Sequence, residues 1–198
     1  MTKCCRLALF QTIAADVKPF LTKFQSNDPL SPLLYEELLT VMHRVMARFV
    51  KKKILDSSSN IVRTDFTNTK NLITARKIDV GFSVKKALSS ITDMKPIEDL
   101  QFKKESREAL IAFCSSLCEN SQLKYSLTKG ISFLDPKIAV RPMLSAQRLS
   151  TALEIFVKRN RLTGSDADRV KNSYEDVCKL PLHKEIWKMC LVDWITFG

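Results

Sequence analysis

Ser31–Lys53, SPLLYEELLTVMHRVMARFVKKK, is the stretch from which the fold class is read. Ser31 is a good N-cap, and Pro32 suits the first helical position, where no amide donor is needed. Glu36 and Glu37 follow near the positive end of the helix dipole. Leu34, Leu38, Val41, Met42, Val45, Met46 and Phe49 recur at helical spacing and supply an apolar face. Arg48, Lys51, Lys52 and Lys53 then gather where a helix C-terminus favours cations. These signals agree, and together they predict one helix from about 32 to 53.

The same periodicity extends outward on both sides. Leu7, Phe10, Ile13, Val17, Phe20, Leu21 and Phe24 predict a helix over 5–24, with Pro19 kinking it or opening a new turn. Residues 56–71, DSSSNIVRTDFTNTKN, read as a polar loop with a short extended piece at Ile61–Phe66. Ile78, Val80 and Phe82 alternate as a short strand would, or else lead into a helix carrying Val84, Ala87, Leu88 and Ile91. Asp93 and Pro96 mark a boundary before a helix over 97–119, striped by Leu110, Phe113, Cys114, Leu117 and Cys118. Residues 121–135 read as a short helix and a turn leading into Asp135-Pro136. Leu149, Leu153, Phe156 and Val157 predict a helix over 145–160. Another follows, capped by Ser165 and Asp168 and stopped by Pro181. The last stretch, around Ile186, Trp187, Cys190, Leu191 and Trp194, is apolar.

The expected class is therefore all-α or predominantly α: an irregular multi-helix bundle, with one short strand pair near 61–66 and 78–82 as the conceivable exception. Residues 1–198 read as a single helical module and as a fragment of a larger protein, with a sub-boundary available in the loop 56–71. Only four glycines occur, which disfavours tight hairpins and Gly-rich phosphate loops. No apolar run reaches the 18 or so residues that a spanning helix needs, so no membrane is expected. No secretory signal precedes the six cysteines, which points to a reducing compartment, nuclear or cytoplasmic.

The formal net charge is +11, spread along the chain rather than held in a tail. Such a balance favours polyanionic partners, although a lysine-rich solvated surface is the plainer explanation. Arg44, Arg48, Lys51, Lys52 and Lys53, with Arg76, Lys77, Lys85 and Lys86, are the candidate nucleic-acid-binding residues. Lys103, Lys104 and Arg107 add to them. Aromatic interleaving of the kind that stacks single-stranded bases is absent, so contact with a duplex backbone is the better form of the idea.

Other chemistry is poorly supported. Cys114 and Cys118 form an i, i+4 pair, and Cys178, His183 and Cys190 are irregularly spaced, which favours core thiols over zinc. His43 and His183 are the only histidines, and no nucleophile elbow or zinc-protease motif surrounds them. Asp79, Asp93, Asp99, Asp135 and Asp193 show no spacing that singles out a metal cluster. No catalytic residue, metal or cofactor is expected, and the chain reads as no enzyme by itself.

Several segments carry a resemblance. They are Val17–Leu30 (VKPFLTKFQSNDPL), Leu33–Leu38 (LLYEEL), Met46–Lys51 (MARFVK), Lys77–Phe82 (KIDVGF), Leu123–Leu127 (LKYSL) and Leu134-Asp135-Pro136. In this order they resemble a region of animal proteins derived from transposases of the hAT type. In that family an RNase H-like core carries acidic metal ligands and accepts a large helical insertion. A zinc finger and a C-terminal dimerisation segment flank it. This sequence shows neither flanking part, and the acidic triad maps onto none of its positions. The resemblance thus implies the helical region and not a complete transposase. The partners it suggests are DNA, the missing parts of a larger chain, or a second copy in a homo-oligomer. The alternative is a helical protein-interaction or scaffold segment without a nucleic-acid role, with its apolar patch near Trp187 and Trp194.

Overall fold

The segment 31–53 folds as three pieces rather than one helix. Ser31–Leu33 forms a 3-10 turn with Pro32 buried, α2 covers Leu34–Met46, and α3 covers Lys52–Ser57. The break has a tertiary cause. After Met46 the chain tightens, with Arg48 N–H donating to Val45 O (3.1 Å) and Phe49 N–H to Met46 O (3.0 Å). A second segment then takes over the backbone: Ile73 N–H donates to Phe49 O (2.7 Å) and Lys51 N–H to Asn71 O (2.9 Å). Val50 and Leu72 form an isolated antiparallel bridge. Phe49 and Val50 are both essentially inaccessible, so the chain stays in the core through the break. Lys51, Lys52 and Lys53 therefore stand at the start of a short helix, not at the end of a long one.

The computed structural model describes residues 2–27, 30–57, 61–91 and 94–179. Asp93, Pro181, His183, Trp187, Cys190, Asp193 and Trp194, all named above, lie outside the described residues. Among the described residues the regular structure is helical and contains no strand. The remaining elements are α1 (Thr2–Lys23), α4 (Phe82–Ser89), α5 (Pro96–Asn120), α6 (Ser126–Ile131), α7 (Pro136–Ala139), α8 (Pro142–Lys158) and α9 (Gly164–Lys179). No helix is long and apolar enough to cross a membrane.

The strand pair at 61–66 and 78–82 does not form. Ile61–Arg63 is a 3-10 turn, and Phe82 begins α4. The alternation at 78–80 nonetheless has structural content: Ile78 and Val80 are buried while Asp79 is exposed. Asp79 N–H donates to Arg48 O (2.9 Å), so the segment lies along the Arg48–Lys51 backbone without a ladder.

The chain divides into two compact units. The first comprises Met1–Gln25 and Leu38–Ser121, with the polar segment 56–71 inside it. Its core is built on Met42, Val45, Met46 and Phe49, with Val84 from α4 and Leu110 and Cys114 from α5. α5 follows its expected bounds closely, because Pro96 opens it and Glu98 reaches back to the Lys95 amide (3.3 Å). α1 is rotated from its expected face. Cys5, Ala8, Leu9, Ile13 and Asp16 point inward, whereas Leu7, Phe10 and Leu21 are more than half exposed. Apolar residues surround much of this helix, so periodicity alone fits more than one face, and the ion pair of Asp16 selects the observed one. Gly81 adopts φ +91°, and a Cβ there would lie 2.6 Å from Thr12 Cγ2, so glycine lets α4 begin close against α1.

The second unit comprises Ser26–Glu37 and Gln122 onward. α6, α7 and α8 pack together there, and a Cβ on Gly130 would lie 2.9 Å from the Ala152 amide. Arg148 is buried on α8. Its Nη2 meets Glu36 at 3.0 Å, and its guanidinium lies 4.7 Å from the Tyr35 ring centroid. Burial raises the pKa of Glu36, and the charge of Arg148 only partly opposes it. The box at the start of α9 is Thr163 with Asp166, two residues before the expected pair. Thr163 N–H donates to Asp166 Oδ2 (3.2 Å), and Asp166 N–H donates to Thr163 Oγ1 (3.1 Å).

Candidate nucleic-acid interface

The candidate basic residues all fall in the first unit, where they divide into two groups. The first group gathers around Asp16 and Asp79. Arg48 is half-buried, and its Nε and Nη2 both lie 2.8 Å from Asp16 Oδ2. Its Nη1 reaches Asp79 Oδ2 at 3.3 Å, and Lys85 Nζ meets Asp79 Oδ1 at 2.9 Å. Arg44 Nη1 donates to the Asp16 carbonyl at 3.1 Å. Partial burial tends to raise the pKa of Asp79. The Lys85 hydrogen bond, the Gly81 amide and the charges of Lys85 and Arg48 outweigh it, so the carboxyl titrates below its usual range. Arg44, Arg48 and Lys85 thus tie α1, α2 and α4 together.

The second group is Lys51, Lys52, Lys53, Arg76, Lys77 and Lys86, all exposed. Lys51 Nζ donates to the Lys70 carbonyl, which places Lys51 beside an exposed lysine of the polar segment 56–71. No local pattern marks Lys70, because the pairing of 49–51 with 71–73 is what brings it there. Lys52, Lys53, Arg76, Lys77 and Lys86 form no ion pair among the described residues. Arg76 and Lys77 occupy the 3-10 turn Ala75–Lys77, which packs on α5. Arg107 of α5 donates to the nearby Ile73 carbonyl at 3.4 Å. The structure brings Lys51 to Lys70, and the turn holding Arg76 and Lys77 to α5.

The other candidate chemistries resolve into structural roles. Cys114 is fully buried, and burial, with a smaller contribution from Cys118, pushes its thiol up to about 12. Cys118 Sγ lies 3.8 Å from Met42 Sδ, as a packing thiol does. Among the described residues no three His, Cys, Asp or Glu side chains gather as a metal would require. Asp99 pairs with Lys103 at 2.8 Å. Asp135 caps α7 by accepting from Lys137 N–H at 2.8 Å. His43 is exposed on α2.

No family model, curated protein or solved structure matches this chain.

Proposed function

We propose that the chain is a helical module that contacts the backbone of duplex nucleic acid through Lys52, Lys53, Arg76, Lys77 and Lys86, assisted by Lys51. What carries this reading is that these exposed cations have no carboxylate partner among the described residues, in a chain of net charge +11. Arg48 and Lys85 leave the candidate set because Asp16 and Asp79 pair with them, and Arg44 because its guanidinium is engaged by the Asp16 backbone carbonyl. The resemblance to hAT-type transposase derivatives agrees with a role of this kind in the nucleus, as a part that binds DNA or packs against an RNase H-like core rather than one that performs strand transfer. The proposed contact needs neither metal nor cofactor.

The test is duplex binding measured across a salt series. Binding should weaken with salt, with a log–log slope of about −0.9 per phosphate contacted. Charge reversal at Lys52 and Lys53 should flatten that slope, and failure to bind even at low salt removes the reading.

A second reading is a helical segment that packs against the rest of a larger chain, without nucleic acid. Leu7, Phe10 and Leu21 favour it, being 61%, 62% and 51% exposed along α1. It predicts no salt-dependent duplex binding at all.

A further inference from the structure

α1 carries two apolar faces, and the first unit buries only one of them. Cys5, Ala8, Leu9 and Ile13 point inward. On the other side run Leu7, Phe10, Ala14, Val17, Leu21 and Phe24, at steps of three, four, three, four and three residues. Leu7, Phe10 and Leu21 are more than half exposed, Ala14 is exposed, and Val17 and Phe24 are half-buried. Phe24 N–H donates to Phe20 O at 3.1 Å, so the helical pattern reaches the last of them. Their period is 3.5 residues, that of the seam between two supercoiled helices, sustained over about 26 Å. A helix that is apolar all round is one that is covered all round.

We propose that α1 pairs through this stripe with α1 of a second copy of the chain, the two helices running antiparallel. The stripe selects this occupant because it is complementary to itself on reversal. With Leu7 set opposite Phe24 of the second copy, Phe10 falls opposite Leu21 and Ala14 opposite Val17. A two-fold axis then repeats each layer, and all of them are apolar. Charge decides the direction. An in-register parallel pair would bring Lys3, four residues before Leu7 on the same stripe, against its own copy. The antiparallel pair sets Lys3 past the end of the facing stripe. Beside the antiparallel seam, Lys18 faces Gln11 of the second copy, and Arg6 is already paired with Glu105 at 2.9 Å. No two cations are thus forced together, in a chain of net charge +11. One helix pair covers no more than the roughly 800 Å² per partner of a standard interface, so the association depends on protein concentration. It does not depend on duplex binding.

The experiment is sedimentation velocity of the full chain across a dilution series, for the native protein, Phe10→Lys and Leu21→Glu. Both positions are exposed, so neither charge disturbs the core, and far-UV circular dichroism checks that each variant stays helical. Ala14→Glu, in the exposed middle of the stripe, replaces either variant that fails to fold. The native protein is expected to shift from monomer to dimer as concentration rises, and each variant alone to stay monomeric. An equimolar mixture of Phe10→Lys and Leu21→Glu should regain the dimer. In that pair the introduced opposite charges face each other across one layer, while its two-fold mate keeps the native Leu21 and Phe10. A native chain that is monomeric at every concentration overturns the proposal and leaves the face to the rest of a larger protein. A dimer indifferent to the substitutions overturns it by placing the interface elsewhere. Variants that lose the dimer and stay apart when mixed overturn the antiparallel register.

Discussion

Arg48 presents two nitrogens, Nε and Nη2, to one oxygen of Asp16, each at 2.8 Å, across 32 residues of sequence. The side chains are 15% and 11% exposed, so the pair is largely withdrawn from water. Removing Asp16 leaves the poorly solvated Arg48 with only the more exposed Asp79 as a carboxylate partner. Asp16→Ala should therefore destabilise the protein by about 3–5 kcal/mol. Asp16→Asn keeps an acceptor for Arg48 and should cost about 1–3 kcal/mol. Urea unfolding with an unchanged m-value measures both, and equal costs for the two substitutions would contradict the assignment.

The neighbouring carboxylate gives this cluster an acid limb. Asp79 titrates below the usual value of 3.8 in the folded protein, so its ionised form is favoured by folding. Its stabilising contribution is complete above that usual value and is lost as pH falls through the lower folded pKa. The stability difference between native protein and Asp79→Asn should stay flat from about pH 5 to 7 and shrink at more acid pH. A difference that instead grows on acidification would reverse the sign and reject the account.

Gly81 combines a left-handed backbone with close contact to Thr12. Gly81→Ala meets both penalties and should cost about 1–3 kcal/mol, the usual range for a strained backbone position. Thr12→Ala removes the contacting Cγ2 and Oγ1 but leaves the dihedral strain. The double variant should therefore recover only part of the loss in thermal unfolding.

Thiol reactivity should follow burial. Cys4 is exposed, whereas Cys114 is buried with its thiol pushed up to about 12. Site-resolved alkylation at neutral pH should label Cys4 promptly and Cys114 only after unfolding, because the thiolate is the reacting form. Prompt labelling of Cys114 in the native protein would place it outside the core.

How much of this was legible in the sequence depends on where each determinant lies. α5 was readable because its start signal and stripe are local: Pro96 and Glu98 fix the first turn, and Leu110 and Cys114 mark the buried face. The break after Met46 was not, because its cause is the distant segment 71–73, which captures the Phe49–Lys51 backbone. The alternation of Ile78, Val80 and Phe82 suggested a strand, but only Ile78 and Val80 are buried, Phe82 is exposed, and burial alone does not make a ladder. Among the basic residues, charge and position were visible but neutralisation was not. Asp16 and Asp79 lie 32 and 31 residues from Arg48, and nothing local marks them as its partners. The Arg148–Glu36 pair spans 112 residues and was equally invisible.

That last pair has a consequence for biosynthesis. The guanidinium that Glu36 receives is translated more than a hundred residues after it. Until then the Glu36 carboxylate lacks this counter-charge, so closing the pair is a long-range event. Cutting the gene after residue 121 would not separate two self-sufficient products: the downstream piece would carry an Arg148 deprived of both its aromatic platform and its counter-charge.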